Sequence, residues 1–125
     1  MITVGEEIYV IGGWSRDEGR ALASVEIFNT RTEMWRKGEK LPLARYAFAY
    51  GLFDGKPTVI GGLTDEAGKL PTPTSYIFEN GAWRKIAGMR TPRGWMAFAV
   101  LDNKFYTLGG LIGEDSVNKV EILSH

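Results

Sequence analysis

Few residues in this 125-residue chain are able to do chemistry, and most of them stand in matched places. Adjacent acids recur as Asp17-Glu18, Asp65-Glu66 and Glu114-Asp115. Such carboxylates suit a basic peptide or weak divalent-ion binding. Solvated loop tips, or local pairing with Arg16, Arg20 and Lys69, explain them more simply, and no metal site is assigned. His125 is the only histidine and occupies the last position, where no general base is held in place. With no cysteine there is no thiolate ligand, cysteine nucleophile or disulfide. Ser15, Ser24, Ser75, Ser116 and Ser124 lack a base to activate them. Carboxylate pairs serve glycoside chemistry only when they face one another, and nothing in the sequence sets them so. No catalytic residue and no cofactor are assigned.

Binding chemistry is better represented. Arg45-Tyr46 and Arg93-Gly94-Trp95 place arginine beside aromatic residues, the composition that binding hot spots favour. The same recurrence suits a structural role, such as bonding a loop carbonyl. Trp14 follows Gly12-Gly13 directly, where Leu63 and Leu111 follow the other diglycines; packing beneath its loop is preferred to ligand contact. Fifteen basic and fifteen acidic residues leave no net charge, so the field that draws proteins to nucleic acid or anionic membrane is absent. Residues 1–10 carry two glutamates and no apolar leader, and a cytoplasmic setting is the default.

A repeat positions these groups. The diglycines Gly12-Gly13, Gly61-Gly62 and Gly109-Gly110 recur at intervals of 49 and 48 residues, and Trp35 and Trp83 keep the same spacing. Four short strands fit each period, because β-branched and aromatic residues alternate between turn signals. The first spans 46–53 and 95–101. The second is EIYVI, KPTVI and KFYTL, the third SVEIF, SYIF and KVEIL, and the fourth EMWRK and AWRKI. Asp54-Gly55 and Asn80-Gly81 supply the positive φ angles of two-residue hairpins. Small residues in the first strand (Ala47, Ala49, Gly51; Ala97, Ala99) let sheets crowd around an axis. Each diglycine allows a bend and a close approach by the next sheet. Trp35 and Trp83 are expected in the core. Pro57 cannot donate to a ladder and points to an edge or strand-start position.

These marks resemble the kelch repeat: arginine before strand one (Arg45, Arg93), a diglycine after strand two, an aromatic in strand three (Phe28, Phe78) and tryptophan in strand four (Trp35, Trp83). The third repeat departs, with Leu123 in place of the aromatic. The resemblance implies an all-β fold of four-stranded propeller blades, arranged as blade A over 1–40, blade B over 41–88 and blade C over 89–125. Residues 1–4 match only the tail of a first strand, and no fourth strand follows the third copy, so one whole blade lies between two incomplete ones. Such blades bury their apolar faces only against neighbours. The chain is read either as a fragment of a larger propeller or as one that self-associates to complete a ring, two copies making six blades. The resemblance also implies that the loops between strands four and one and between strands two and three share one face and bind a protein or peptide. That face would present Arg45, Tyr46, Arg93, Gly94 and Trp95, with Trp14 and Arg16 on the loop 14–23, beside the loops 63–73 and 111–116. The function expected is thus non-enzymatic protein interaction. The alternatives are part of a kelch-like enzyme acting on a sugar or sugar acid, as sialic acid epimerases and copper oxidases of this fold do, and a structural or designed repeat.

Overall fold

The computed structural model describes residues 1–124, and every regular element among them is a β-strand. In chain order these are β1 (Ile2–Val4), β2 (Glu7–Ile11), β3 (Trp14–Ser15), β4 (Arg20–Ala21), β5 (Val25–Asn29), β6 (Met34–Lys37), β7 (Ala49–Phe53) and β8 (Lys56–Ile60). They continue with β9 (Ser75–Glu79), β10 (Ala82–Ile86), β11 (Ala97–Leu101), β12 (Lys104–Leu108), β13 (Leu111–Ile112), β14 (Asp115–Ser116) and β15 (Val120–Ser124). The sheets are antiparallel meanders: β1-β2-β5-β6, β7-β8-β9-β10 and β11-β12-β15, with ribbons β3-β4 and β13-β14 on the loops after β2 and β12. His125, the histidine weighed above as a base, lies outside the described residues.

Local chemistry sets these boundaries. Asp54-Gly55 (φ 56° and 72°) and Asn80-Gly81 (φ 52° and 77°) turn the hairpins β7-β8 and β9-β10, and Asp102-Asn103 (φ 49° and 57°) does the same for β11-β12. The first strands start later than their hydrophobic runs suggest, at Ala49 and Ala97. Ala47 and Trp95 both hold φ at 55°, which breaks the extended run. That break swings the preceding residues away to other partners. Tyr46 exchanges backbone hydrogen bonds with Leu63 (3.0 and 2.8 Å), and Gly94 does so with Leu111 (3.0 and 2.8 Å).

Pro57 is not on an edge: it is the second residue of β8, a strand with neighbours on both sides. It faces Leu52 of β7, whereas the pairing of β8 with β9 begins only at Thr58. A two-residue hairpin makes Phe53 and Lys56 the hydrogen-bonded pair, so the nitrogen of the next residue points toward β9, where proline has nothing to give. In the first sheet the equivalent ladder runs on through Ile8↔Phe28 and Glu7↔Asn29.

The core lies between sheets. Ile2, Tyr9, Ile11, Val25 and Ile27 of the first meet Val59, Phe48 and Tyr76 of the second. Ala49, Phe53, Ile60 and Ile77 on its other side meet Phe105, Phe98 and Leu123 of the third. The innermost strands approach closely: a Cβ on Gly51 would stand 3.3 Å from Val100 of β11. The diglycines do two jobs. All six residues have positive φ, and a Cβ on Gly62 would lie 2.7 Å from the Tyr46 carbonyl oxygen. Trp83 fulfils its expected place, packing against the core with its indole N–H donated to the Glu39 carbonyl at 2.9 Å. Trp35 does not: it is 57% exposed, because among the described residues no further sheet covers the outward side of the first.

Candidate functional site

The loops after β2, β8 and β12 and the segments entering β7 and β11 emerge together. Tyr46 stands at the centre. Its ring meets Trp14 edge-on at 5.1 Å and Trp95 at 6.2 Å, so three aromatic groups from three repeats line one open cleft of about 450 Å³. Leu63 forms part of the floor, while Arg16 and Glu66 put opposite charges on its walls. Trp95 is 63% exposed, the largest apolar surface of the group. Trp14 is half-buried against Tyr46, which matches the packing role preferred for it while leaving the ring on the cleft wall.

Backbone contacts hold this face. The Tyr46 hydroxyl donates to the Asp65 carbonyl, and the Asp65 Oδ1 accepts the Lys69 and Leu70 amides at 2.9 Å each. Burial first, then Asp65 and Glu66, push the Tyr46 hydroxyl above the ordinary tyrosine range, so it stays a neutral donor. The Gly113 amide donates to the Gly68 carbonyl at 2.7 Å, tying the loops of the second and third repeats. Trp95 is fixed by its amide, which reaches the Ala47 carbonyl at 2.9 Å. Rings held this way lose little entropy on contact with a ligand.

Arg45 and Arg93, expected on this face, lie beneath it. Both are fully buried and offer a partner no surface. Arg45 donates through Nη1 to the carbonyls of Gly61 (3.0 Å) and Thr74 (2.7 Å), through Nη2 to Thr74 Oγ1 (2.9 Å) and through Nε to Leu43 (3.2 Å). Arg93 repeats the clasp on the third sheet, reaching the Lys119 carbonyl (3.0 Å), Thr107 Oγ1 (3.2 Å) and Glu121 (3.4 Å). Each thus joins the end of strand two to the residue before strand three. Desolvation lowers the Arg45 pKa to about 10, which leaves it cationic at neutral pH, over the Tyr76 ring at 5.2 Å. The recurrence of arginine was therefore the mark of a structural clasp.

The acid pairs do not converge. No group of three acidic, His or Cys residues able to hold a metal occurs among the described residues. Of the cleft residues, Glu66 was noted in the sequence only as one of an acid pair and Leu63 only as the counterpart of Trp14, while Gly68 fell within the loop 63–73 without being singled out. No described helix is long and apolar enough to cross a membrane.

Comparison with known proteins agrees with this architecture. The Kelch motif is recognised over residues 1–42. Kelch-like protein 38 of Mus musculus is 32% identical over 111 residues, covering 87% of this chain and 19% of its own length. A kelch repeat-containing protein of Arabidopsis thaliana is 31% identical over 113 residues, covering 87% and 27%. The chain thus spans about a fifth to a quarter of these relatives. Among solved structures, YjhT superposes with a TM-score of 0.84 at 14% identity, over 99% of this chain and 41% of that one. At that identity the match speaks to the fold. Arginine clasps, diglycine bends, fourth-strand tryptophans and three consecutive antiparallel sheets therefore have one common explanation: this chain is a kelch-repeat protein, its sheets the blades of an incomplete kelch-type β-propeller.

Proposed function

We propose that the chain is a non-enzymatic protein-interaction module whose loop-face cleft receives a peptide or protein segment. The observation that carries this is the exposed Trp95 beside Tyr46 and Trp14 in one rigidly held hollow, flanked by Arg16 and Glu66. Aromatic anchors backed by fixed backbone are the usual source of hot-spot energy. The site residues in this reading are Trp14, Arg16, Tyr46 and Trp95, with Arg45 and Arg93 holding the blades that present them.

Peptides selected from a displayed random library against the immobilised chain test the reading. Trp95→Ala should weaken the selected peptides by about tenfold or more, the loss typical of an anchor residue, while thermal unfolding changes little. Selected peptides indifferent to Trp95→Ala and Trp14→Ala would overturn it. Saturable binding and turnover of a free monosaccharide would favour a sugar-acting enzyme instead.

The same reading includes self-association. The third blade leaves Leu108, Val120 and Ile122 exposed on its outward side, and the first leaves Val10 and Trp35. These are the two sides that neighbouring blades cover elsewhere in the molecule, so a second copy, head to tail, covers both.

A further inference from the structure

The cleft on the loop face has a chemistry more specific than its aromatic content. Trp14 comes from the ribbon of the first blade, Tyr46 from the segment entering β7 of the second and Trp95 from the segment entering β11 of the third. Its walls thus belong to three successive blades, independently of the outward sides of the end ones. The rings are not stacked. Tyr46 is inclined at 60° to Trp14 and at 75° to Trp95, so the three stand as adjoining walls of a box. Ring faces carry negative potential, and a box of them suits a compact rounded cation better than a flat guanidinium, which lies best along a single ring.

Charge on the rim has the matching sign. The three loops hold the acid pairs Asp17-Glu18, Asp65-Glu66 and Glu114-Asp115 against Arg16, Arg20 and Lys69, although the whole chain is neutral. Arg20 is already paired with Glu18 at 3.0 Å. The excess is felt at the rings, because Asp65 and Glu66 add to burial in raising the pKa of the Tyr46 hydroxyl.

Acceptors near the rings are already engaged. The Asp65 carbonyl takes the Tyr46 hydroxyl, and Asp65 Oδ1 takes the amides of Lys69 and Leu70. A bare ammonium brings three N–H groups that need acceptors as it leaves water. Methyl groups in their place keep the charge and need none. Glu66, exposed on the lining, then supplies a counter-charge without having to accept a hydrogen bond, while Arg16 offers N–H donors to the carbonyls of a bound segment.

We propose that the cleft is an aromatic cage for a trimethylated lysine carried by an extended segment of a partner polypeptide. The inference rests on the reading of the cleft as a peptide-binding site and names the side chain that it selects. A volume of about 450 Å³ accommodates the lysine stem and flanking chain beside the cation.

The test titrates the intact chain, by the fluorescence of its tryptophans, with a short Gly-Ser peptide bearing one central trimethyllysine. Peptides with lysine, arginine or the uncharged tert-butyl isostere of trimethyllysine at that position should each bind about tenfold or more weaker. Tetramethylammonium chloride, which lacks the segment, should also bind more weakly than the peptide. Trp95→Ala should abolish the preference for the trimethylated peptide and Trp95→Phe should retain part of it, while Glu66→Gln lowers its affinity about threefold, as for one surface charge. Equal binding of the isostere, of the lysine peptide or of free tetramethylammonium would overturn the inference. The two readings fail separately: library-selected peptides that depend on Trp95, with no preference for the trimethylated peptide, overturn this inference and leave the cleft a peptide site, whereas indifference of both peptide sets to Trp95→Ala overturns both.

Discussion

At the scale of single residues, the arginines carry the most specific lesson. A guanidinium buried without partners is strongly unfavourable, and burial becomes tolerable only when its fork is satisfied by several acceptors. Arg45 meets that condition with four hydrogen bonds that link parts of one blade's upper end. Arg45→Ala removes the donors while the Gly61 and Thr74 carbonyls stay buried, and should lower unfolding free energy by about 3 kcal/mol. Urea denaturation followed by tryptophan fluorescence measures it. Arg45→Lys should recover only a minor part, because one ammonium cannot span acceptors on both sides of the fork. The sequence showed that these arginines recur but not their burial. Whether a long side chain turns inward or outward depends on acceptors such as Thr74, nearly thirty positions away, whose spacing varies between repeats.

At the scale of elements, strand pattern and turn chemistry were legible because alternation and Asp-Gly or Asn-Gly turns are local properties. What escaped was the break at Ala47 and Trp95. Neither residue favours a positive φ, and the conformation is imposed by the bridges Tyr46↔Leu63 and Gly94↔Leu111 on either side of the interblade seam. Of the two places the sequence left open for Pro57, the strand start holds and the edge does not: its sequence tells that a donor is missing, but not that β9 loses it rather than solvent. The diglycines make a sharper test. At Gly55 a Cβ meets nothing within 4 Å, so Gly55→Ala should cost only the positive-φ penalty of about 1 kcal/mol. At Gly62 it meets the Tyr46 carbonyl oxygen at 2.7 Å, and the segment entering β7 must move. Gly62→Ala should therefore cost about 3 kcal/mol or more. Equal denaturation midpoints for the two variants would refute the account of this close approach.

At the scale of the whole molecule, the cleft was only partly readable in advance. Trp14 was visible as a departure within its repeat, and Tyr46 and Trp95 as aromatic residues beside the recurring arginines, yet their meeting depends on how blades sit side by side, which no one period contains. The exposure of Trp35 was unreadable for the same reason, since the position is core wherever a preceding blade exists. The two uncovered sides lead to a direct expectation. Light scattering should give a concentration-dependent mass approaching twice that of the monomer, and Val120→Lys with Ile122→Lys should return it to one chain. A monomer at all concentrations would contradict the assignment of those sides as a contact.

The seam also has a direction. The Gly13 amide donates to the Arg45 carbonyl and the Gly62 amide to the Arg93 carbonyl, each time from the diglycine of the earlier blade to the arginine entering the later one. Front and back are consequently unlike surfaces, and copies that associate through them queue in single file rather than embracing symmetrically. Such a queue either bites its own tail or continues without limit. Polymerisation with a lag that seeds abolish is thus the fate of any variant whose blade-to-blade rotation misses closure.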